Sequence, residues 1–368
     1  MPCAEETAVA AGGALAVDRD LFSAQVTKAI TENPRIRLHR EEVKTLDFDV
    51  PAVVATGPLT SDEMAAAIRA LTGEESLSFF DAAAPIVSAD SIDRDIVFAA
   101  SRYGRGDDDY LNCPMNKEEY EAFYDALIHA EGAPRHDVDD DLKKLRVYEG
   151  CMPIEIMARR GDDTIRFGPL KPVGLRDPRT GHRPWAVVQL RKENAAGTMY
   201  NLVGFQTNLT WGEQKRVFSM IPGLKNAEFV RYGVMHRNTF LNSPQLLARD
   251  FHLLKNENLY FAGQMTGVEG YMESAMSGLV AGHALARKML GLPPIELPHD
   301  TMTGALCDHV CDKTVPDFQP MGSNMGILPP LETRIRDKKE RYQQVAERAM
   351  ASLKAELDRV GYEPPVRP

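Results

Sequence analysis

No apolar run in this 368-residue chain approaches the ~18 residues that a bilayer-spanning helix needs. The opening residues, Met1-Pro-Cys-Ala-Glu-Glu-Thr7, lack the positive charge that begins a signal peptide. The expectation is a cytoplasmic protein with no membrane partner. Cysteine is scarce and oddly spaced: five residues, at positions 3, 113, 151, 307 and 311, with no C-x-x-C pair. That pattern argues against a disulfide framework and against a four-cysteine zinc site, so a functional cysteine is expected to work as a thiolate. Also missing is G-x-G-x-x-G, the glycine turn that normally opens a dinucleotide site after its first strand.

What is present is ordinary globular composition, 43% apolar and 26% charged, in a chain long enough for two domains with real cores. The net charge of −10 conceals an asymmetry. Residues 151–240 hold 14 Lys plus Arg against 7 Asp plus Glu, about +7, which leaves about −17 for the remainder. A basic face for an anionic partner and simple surface solvation both fit that split.

The first hundred residues read as a wound α/β unit. A helix is expected over 20–32, a short strand at Ile36-Arg-Leu-His39, and a buried strand at Ala52-Val-Val-Ala55 that breaks at Thr56-Gly57-Pro58. Thr60 and Glu63 are spaced as a capping box for a helix that Gly73 closes, and the composition changes near residue 87. Asn116 with Glu119, and Thr210 with Glu213, cap two further helices. Between them, 185–190 and 200–205 alternate as strands about a turn at Asn194-Ala-Ala-Gly197, which predicts an antiparallel sheet. A charged amphipathic helix is expected over 332–360.

The richest element is Asn258-Leu-Tyr-Phe-Ala-Gly-Gln-Met-Thr-Gly-Val-Glu-Gly-Tyr271, an apolar strand that runs through three glycines into a long helix. Such a turn brings backbone close to a ring or phosphate, and the helix start points its N–H groups and positive dipole end there. Paired with the strand that breaks at Thr56-Gly57, it reads as the closing half of a flavin site. Cys151 lies between Gly150 and Pro153 on a turn, with Arg159 and Arg160 downstream to favour a thiolate; a buried inert thiol is the alternative. The segment 166–184 alternates cations with Gly and Pro, which suits phosphates, with Phe167 or Trp185 available to stack a base.

Four stretches, Tyr148-Glu-Gly-Cys-Met-Pro-Ile-Glu155, Arg166-Phe-Gly-Pro-Leu-Lys-Pro-Val-Gly-Leu175, Arg231-Tyr-Gly-Val-Met-His-Arg-Asn-Thr-Phe240 and Phe261-Ala-Gly-Gln-Met-Thr-Gly-Val-Glu-Gly-Tyr271, resemble the TrmFO family of folate- and FAD-dependent tRNA (uracil-5-)-methyltransferases, GidA-related flavoproteins. The resemblance runs from about residue 11 to the tail. It implies an α/β fold in which a Rossmann-like FAD/NAD(P)-binding domain, incomplete here, carries an inserted α+β domain with an antiparallel sheet. The expected segments are 1–87 and 241–295 for the FAD domain, 88–240 for the inserted tRNA domain, and 296–368 for a tail with a helix.

The resemblance further implies that a methylene passes from 5,10-methylenetetrahydrofolate through the flavin to C5 of the T-loop uridine 54 of tRNA, with NAD(P)H as reductant. Cys151 matches one of the family's two reactive cysteines. Thr56, Gly57, Gly263, Gln264, Met265, Thr266, Gly267, Glu269, Gly270 and Tyr271 match cofactor-binding positions. Arg159, Arg160, Lys171, Arg176, Arg179, Arg183, His236 and Arg237 are candidates for RNA contact, with the folate expected near the last two. The family's Cys-Ser-Asn-Ser motif and its G-x-G-x-x-G turn, which fall within about 80 residues preceding position 11 of this sequence, are absent. On that account a truncated form with weakened cofactor binding is expected. A cofactor-free RNA-binding remnant and a related flavoenzyme acting on another tRNA or rRNA uridine are the alternatives.

Overall fold

A computed structural model describes residues 1–11, 14–73, 77–104, 108–133, 152–315 and 318–362. From the N-terminus, helix α1 (Pro2–Glu6) and the short strands β1 (Ala8–Val9) and β2 (Ala16–Val17) precede α2 (Arg19–Thr31). Strand β3 (Ala52–Val54) and helix α3 (Asp62–Thr72) follow, then β4 (Leu77–Ala82), β5 (Ile86–Ser88), β6 (Phe98–Ala99) and β7 (Tyr110–Met115). Helices α4 (Lys117–Ile128), α5 (Ile154–Ala158) and α6 (Thr164–Phe167) come before the hairpin of β8 (Ala186–Lys192) and β9 (Met199–Leu202). Next are α7 (Trp211–Phe218), β10 (Phe229–Arg231), β11 (Met235–Phe240), α8 (Ser243–Leu246), β12 (His252–Leu253) and β13 (Asn256–Phe261). The long helices α9 (Tyr271–Met289), α10 (Met302–Val310) and α11 (Lys338–Arg359) complete the chain.

Two compact units divide these elements: Met1–Glu41 with Phe80–His236, and Glu42–Phe79 with Arg237–Pro368. The division differs from the four sequence segments at the N-terminus, where the first 41 residues join the 80–236 unit instead of the 42–79 stretch. Local contacts give the reason. Asp18 caps α2 by accepting from the Asp20 and Leu21 amides, and its other carboxylate oxygen accepts from Ala195 N at 3.0 Å in the β8–β9 turn.

The 80–236 unit is built on an antiparallel six-stranded sheet in the order β10-β5-β9-β8-β7-β6. The hairpin turn falls at Asn194–Gly197, with the Thr198 amide donating to Asn194 Oδ1 at 3.0 Å. In β7 and β8, Cys113 faces Val188, and both are fully buried. One face of this sheet meets α4, α5 and α7 through Phe123, Phe205 and Phe218, whose rings touch at 6.1 and 5.3 Å. Val187 turns to the other face, where Phe98 and Leu175 cover it. Asn116 and Glu119 close the capping box of α4 reciprocally, each at 2.8 Å, and Thr210 caps α7 through the Glu213 amide.

The second unit carries the sheet β12-β13-β3, in which β13 runs parallel to β3 with Phe261 opposite Val54. Three expectations shift here or beside it. Ile36–His39 forms no strand: Ile36 and Leu38 are 45% and 49% exposed, and alternation without a neighbouring strand supplies no ladder. The strand at 52–55 ends one residue early and buries Val54 but leaves Val53 37% exposed, because β3 has one covered face. The cap of α3 is Ser61, not Thr60, whose hydroxyl instead donates to Gly57 O at 2.7 Å. Gly73 closes that helix in the left-handed conformation, as expected.

Candidate functional site

Strands β3 and β13 end side by side, joined where Ala262 N donates to Val54 O at 2.9 Å, and each runs at once into a glycine turn. Ligands of open α/β sheets lie outside the carboxyl ends of the strands, which is where these turns sit. Gly57 has φ +77° and Gly263 has φ +83°, and a methyl group built on either would meet nothing within 4 Å. Gly267 and Gly270 differ. A side chain at Gly267 would lie 2.4 Å from the Phe318 ring, and one at Gly270 would strike the Glu273 carboxylate at 2.1 Å. The first two glycines therefore border open space, Gly267 is a packing requirement, and Gly270 faces the end of a side chain that can swing away.

Polar side chains hold the turn in this shape. Gly263 N donates to Ser277 Oγ at 2.7 Å, and Thr266 Oγ1 donates to Gly263 O at 2.9 Å. Ser243 Oγ donates to Thr266 O at 2.7 Å. Thr56 Oγ1 reaches both Thr60 Oγ1, at 2.7 Å, and Met265 Sδ, at 3.7 Å, so the two turns are tied to each other. Gln264 Nε2 donates to Glu269 Oε2 at 2.5 Å. A strap closes over the back: Glu269 N donates to Met321 O and Met321 N to Gly267 O, both at 3.0 Å.

The 19-residue helix α9 starts at Gly270 with no side chain capping it, and Tyr271 beside that start is 98% exposed. Glu273, in the first turn, accepts from the Ser323 amide at 3.0 Å and from the Ser323 hydroxyl. Burial works to raise its pKa, but those hydrogen bonds outweigh it and hold the carboxyl below its ordinary range.

Of the cofactor candidates, the structure brings Thr56, Gly57, Gly263, Gln264, Glu269, Gly270 and Tyr271 to one edge of the sheet, with accessible surface at each. Met265 and Thr266 are buried, at 1% and 0% exposure, with Gly267 behind them against Phe318. Sequence spacing could not separate these roles, because a tight turn alternates inward and outward over single residues. The Phe318–Ser323 strap and Ser277 carried no motif that would have singled them out. The accessible residues suit one side of a flat, anionic cofactor: backbone bare of side chains at Gly57 and Gly263, and an uncapped helix start with its positive dipole end.

Cys151 lies outside the described residues. The chain directly after it is firmly held: Met152 and Pro153 are buried, and Ile154 N donates to Gln206 O at 2.7 Å. Glu155 is 4% exposed and accepts from Thr207 Oγ1 at 2.9 Å and Asn208 N at 2.8 Å. Burial pushes its pKa above the ordinary 4.5, against the lowering effect of those bonds. Replacing Glu155 by Ala leaves the buried Thr207 hydroxyl and the half-buried Asn208 amide without this acceptor and is expected to cost about 2–4 kcal/mol in urea unfolding, with Glu155→Gln milder.

The pH dependence has a definite sign. A carboxyl whose pKa is raised on folding contributes stability below its unfolded pKa, and that contribution is lost as pH rises through the folded value. Wild type should therefore lose stability relative to Glu155→Gln as pH climbs from about 4.5. A constant difference between about pH 4 and about pH 8 would refute the shift.

Among the RNA candidates, Arg159, Arg160, Lys171, Arg176, Arg179 and Arg183 are all exposed on the 80–236 unit. The side chains of His236 and Arg237, on β11, lie outside the described residues. Arg179 already grips the 4%-exposed Asp177 with two hydrogen bonds, at 3.1 and 2.8 Å, which hold that carboxyl below its ordinary range. Arg159 Nε donates to Ile128 O, and an Arg176 guanidinium N–H donates to Gly181 O, both at 3.2 Å. The cationic loop is pinned: Arg102 bonds Val173 O at 2.8 Å and Gln189 at 2.9 Å, and the Tyr103 ring covers Gly174. Arg166 lies 3.8 Å over the Trp185 ring and 5.1 Å from the Phe167 centroid, so one face of Trp185 is already taken.

Comparison with known proteins agrees with this architecture. The family model described as glucose inhibited division protein A matches residues 1–293. Two crystal forms of Aquifex aeolicus GidA share the fold, with TM-scores of 0.63 and 0.59 at 17% and 16% identity. The first covers 93% of this chain and 61% of the solved chain, the second 80% and 52%. The methylenetetrahydrofolate--tRNA-(uracil-5-)-methyltransferase TrmFO of Lactiplantibacillus plantarum is 58% identical over 96% of this chain and 79% of its own length. Its namesake from Desulfitobacterium hafniense is 57% identical over 96% and 80%. Identity at that level along nearly the whole chain, together with the strand–glycine–helix edge it shares with a Rossmann-like fold, shows that the chain belongs to the TrmFO family.

Proposed function

We propose that the chain transfers a one-carbon unit from methylenetetrahydrofolate to C5 of a tRNA uridine, position 54 of the T loop, using FAD and NAD(P)H. The observation that carries the reading is the pair of open glycines, Gly57 and Gly263, at the ends of adjacent parallel strands beside the uncapped start of α9. Thr56, Gly57, Gly263, Gln264 and Tyr271 would hold the flavin, which when bound supplies one-carbon carriage and the electrons drawn from NAD(P)H.

The chain's own task is to make C5 of uracil a nucleophile. The Cys151 thiolate adds to C6, the C5–C6 π pair moves onto C5, and C5 takes the one-carbon unit. Loss of the C5 proton returns the bond pair to C5–C6 and expels the thiolate, and a hydride equivalent, drawn ultimately from NAD(P)H, would replace the bond from the methylene to its carrier and so leave a methyl. Exposed cations at Lys171, Arg176 and Arg183 hold phosphates, while Arg102 keeps their loop in place. A cytoplasmic location is part of the same proposal, and a tRNA substrate and a folate donor support it. Among the described residues no helix is long and apolar enough to cross a membrane.

The test is direct. The purified protein, given FAD, NAD(P)H, labelled methylenetetrahydrofolate and a T-arm RNA, should place one labelled methyl on the loop uridine. An RNA with cytidine at that position should stay unlabelled. Bound RNA and bound flavin without label transfer would sink the reading.

A further inference from the structure

Three aromatic rings on the 80–236 unit form a ladder. Phe229, on the edge strand β10, packs against the core, and Tyr232 stacks on it at 5.2 Å with the planes 12° apart. Trp211, the first residue of α7, stacks on Tyr232 at 5.6 Å, again 12° from parallel. The row thus leads from packed interior to solvent, and its last ring is 62% exposed. Next to that ring Gly212 adds no bulk, since a side chain built there would meet nothing within 4 Å.

The ladder is held rigid. Gln214, fully buried on α7, donates to Leu209 O and Gly233 O at 2.8 Å and accepts from Gly233 N at 2.7 Å. Those bonds fasten the backbone after Tyr232 to the helix that carries Trp211. Gly233 admits no side chain, because a Cβ would lie 2.6 Å from both Ala83 O and Thr207 Cγ2. Thr210 caps the helix start through the Glu213 amide. An indole so placed loses little freedom on binding and offers a flat face that another flat ring can continue.

Charge selects the ring. Lys215 on α7 and Arg231 on β10 are exposed, and the Glu213 carboxylate is answered by Arg216 through two hydrogen bonds. The surrounding stretch, 151–240, carries about seven net positive charges (14 Lys plus Arg against 7 Asp plus Glu). An exposed stacked aromatic with Lys215 four residues further along α7 and Arg231 next to Tyr232 in β10's continuation matches a single-stranded nucleic-acid loop, whose bases stack on rings and whose phosphates meet cations.

We propose that Trp211 is the stacking platform for an unpaired nucleobase of the RNA substrate, with Lys215 and Arg231 on the neighbouring phosphates. This rests on the tRNA reading above and adds a contact to it that is distinct from the cationic loop at 166–184.

Trp185 and Trp211 are the chain's two tryptophans, so Trp185→Phe leaves Trp211 as the sole indole reporter. A T-arm RNA is titrated into that protein while indole emission and the anisotropy of end-labelled RNA are followed together. Saturable quenching with the same midpoint as the anisotropy is expected. Trp211→Ala should weaken binding about 5- to 100-fold, with Trp211→Phe recovering most of it and both variants unfolding as the parent does. RNA that binds without altering the emission, or Trp211→Ala that binds like the parent, overturns the platform while leaving the tRNA reading standing. Self-association lost in Trp211→Ala with RNA binding unchanged would assign the ring to a protein interface instead. Failure of the wild-type protein, with Trp185 in place, to bind RNA at all would remove both readings.

Discussion

Cys151→Ala is expected to lower methyl transfer by at least about 10³-fold while flavin and RNA remain bound. Without addition at C6, C5 of uracil stays part of a conjugated, electron-poor ring, and nothing else in the reaction converts it to a nucleophile. Three of the other cysteines cannot substitute. Cys113 and Cys307 are fully buried, and burial pushes both thiols up, Cys307 to about 12. Cys311 is likewise pushed up to about 12 by burial, and its sulfur donates to Ala248 O. Replacing any of these three should leave the covalent adduct with 5-fluorouridine RNA intact, whereas Cys151→Ala should abolish it in a denaturing gel. An adduct of normal yield in Cys151→Ala would demote this residue to a structural thiol.

The parts of this fold that were legible in the sequence are those written in a few adjacent residues. The Asn116 capping box, the Asn194–Gly197 turn and the run from strand through Gly263 into α9 each follow from local chemistry. Where one residue decides, reading falters: Ser61 displaced Thr60 as cap because Thr60 found Gly57 O. Ile36–His39 alternates like a strand but pairs with no strand among the described residues. The candidate site was legible as a segment and illegible as a surface. Whether Met265 faces the ligand or the core depends on Thr56, 209 residues away, and whether Gly267 is open depends on Phe318. Glu155 and the Trp211–Tyr232–Phe229 ladder are invisible for the same reason, since their partners are set by the sheet and not by spacing.

Gly263→Ala and Gly267→Ala should separate binding from stability. At Gly263 the backbone sits at φ +83°, ψ −168°, a region that residues with a Cβ avoid at a cost of about 1–3 kcal/mol. The added methyl meets no protein atom within 4 Å, so strain is its only cost to the fold, and the methyl stands in the space next to Gly57 and the start of α9. Flavin affinity should drop about tenfold or more, with a modest loss of stability in the flavin-free protein. At Gly267 strain is joined by a clash with the Phe318 ring, which would lie 2.4 Å from the new Cβ, so the strap at 318–323 must move and the fold should lose about 2–5 kcal/mol. The flavin-to-protein absorbance ratio and urea unfolding of the flavin-free forms read the two effects separately. If Gly263→Ala retained full flavin affinity, the open space at that turn would not be the cofactor's. If Gly267→Ala were the milder of the two in unfolding, the strap would not be what that glycine serves. The two glycines are four residues apart and alike in backbone handedness, and they differ in what lies opposite the missing side chain: solvent-accessible space for one, a phenyl ring for the other.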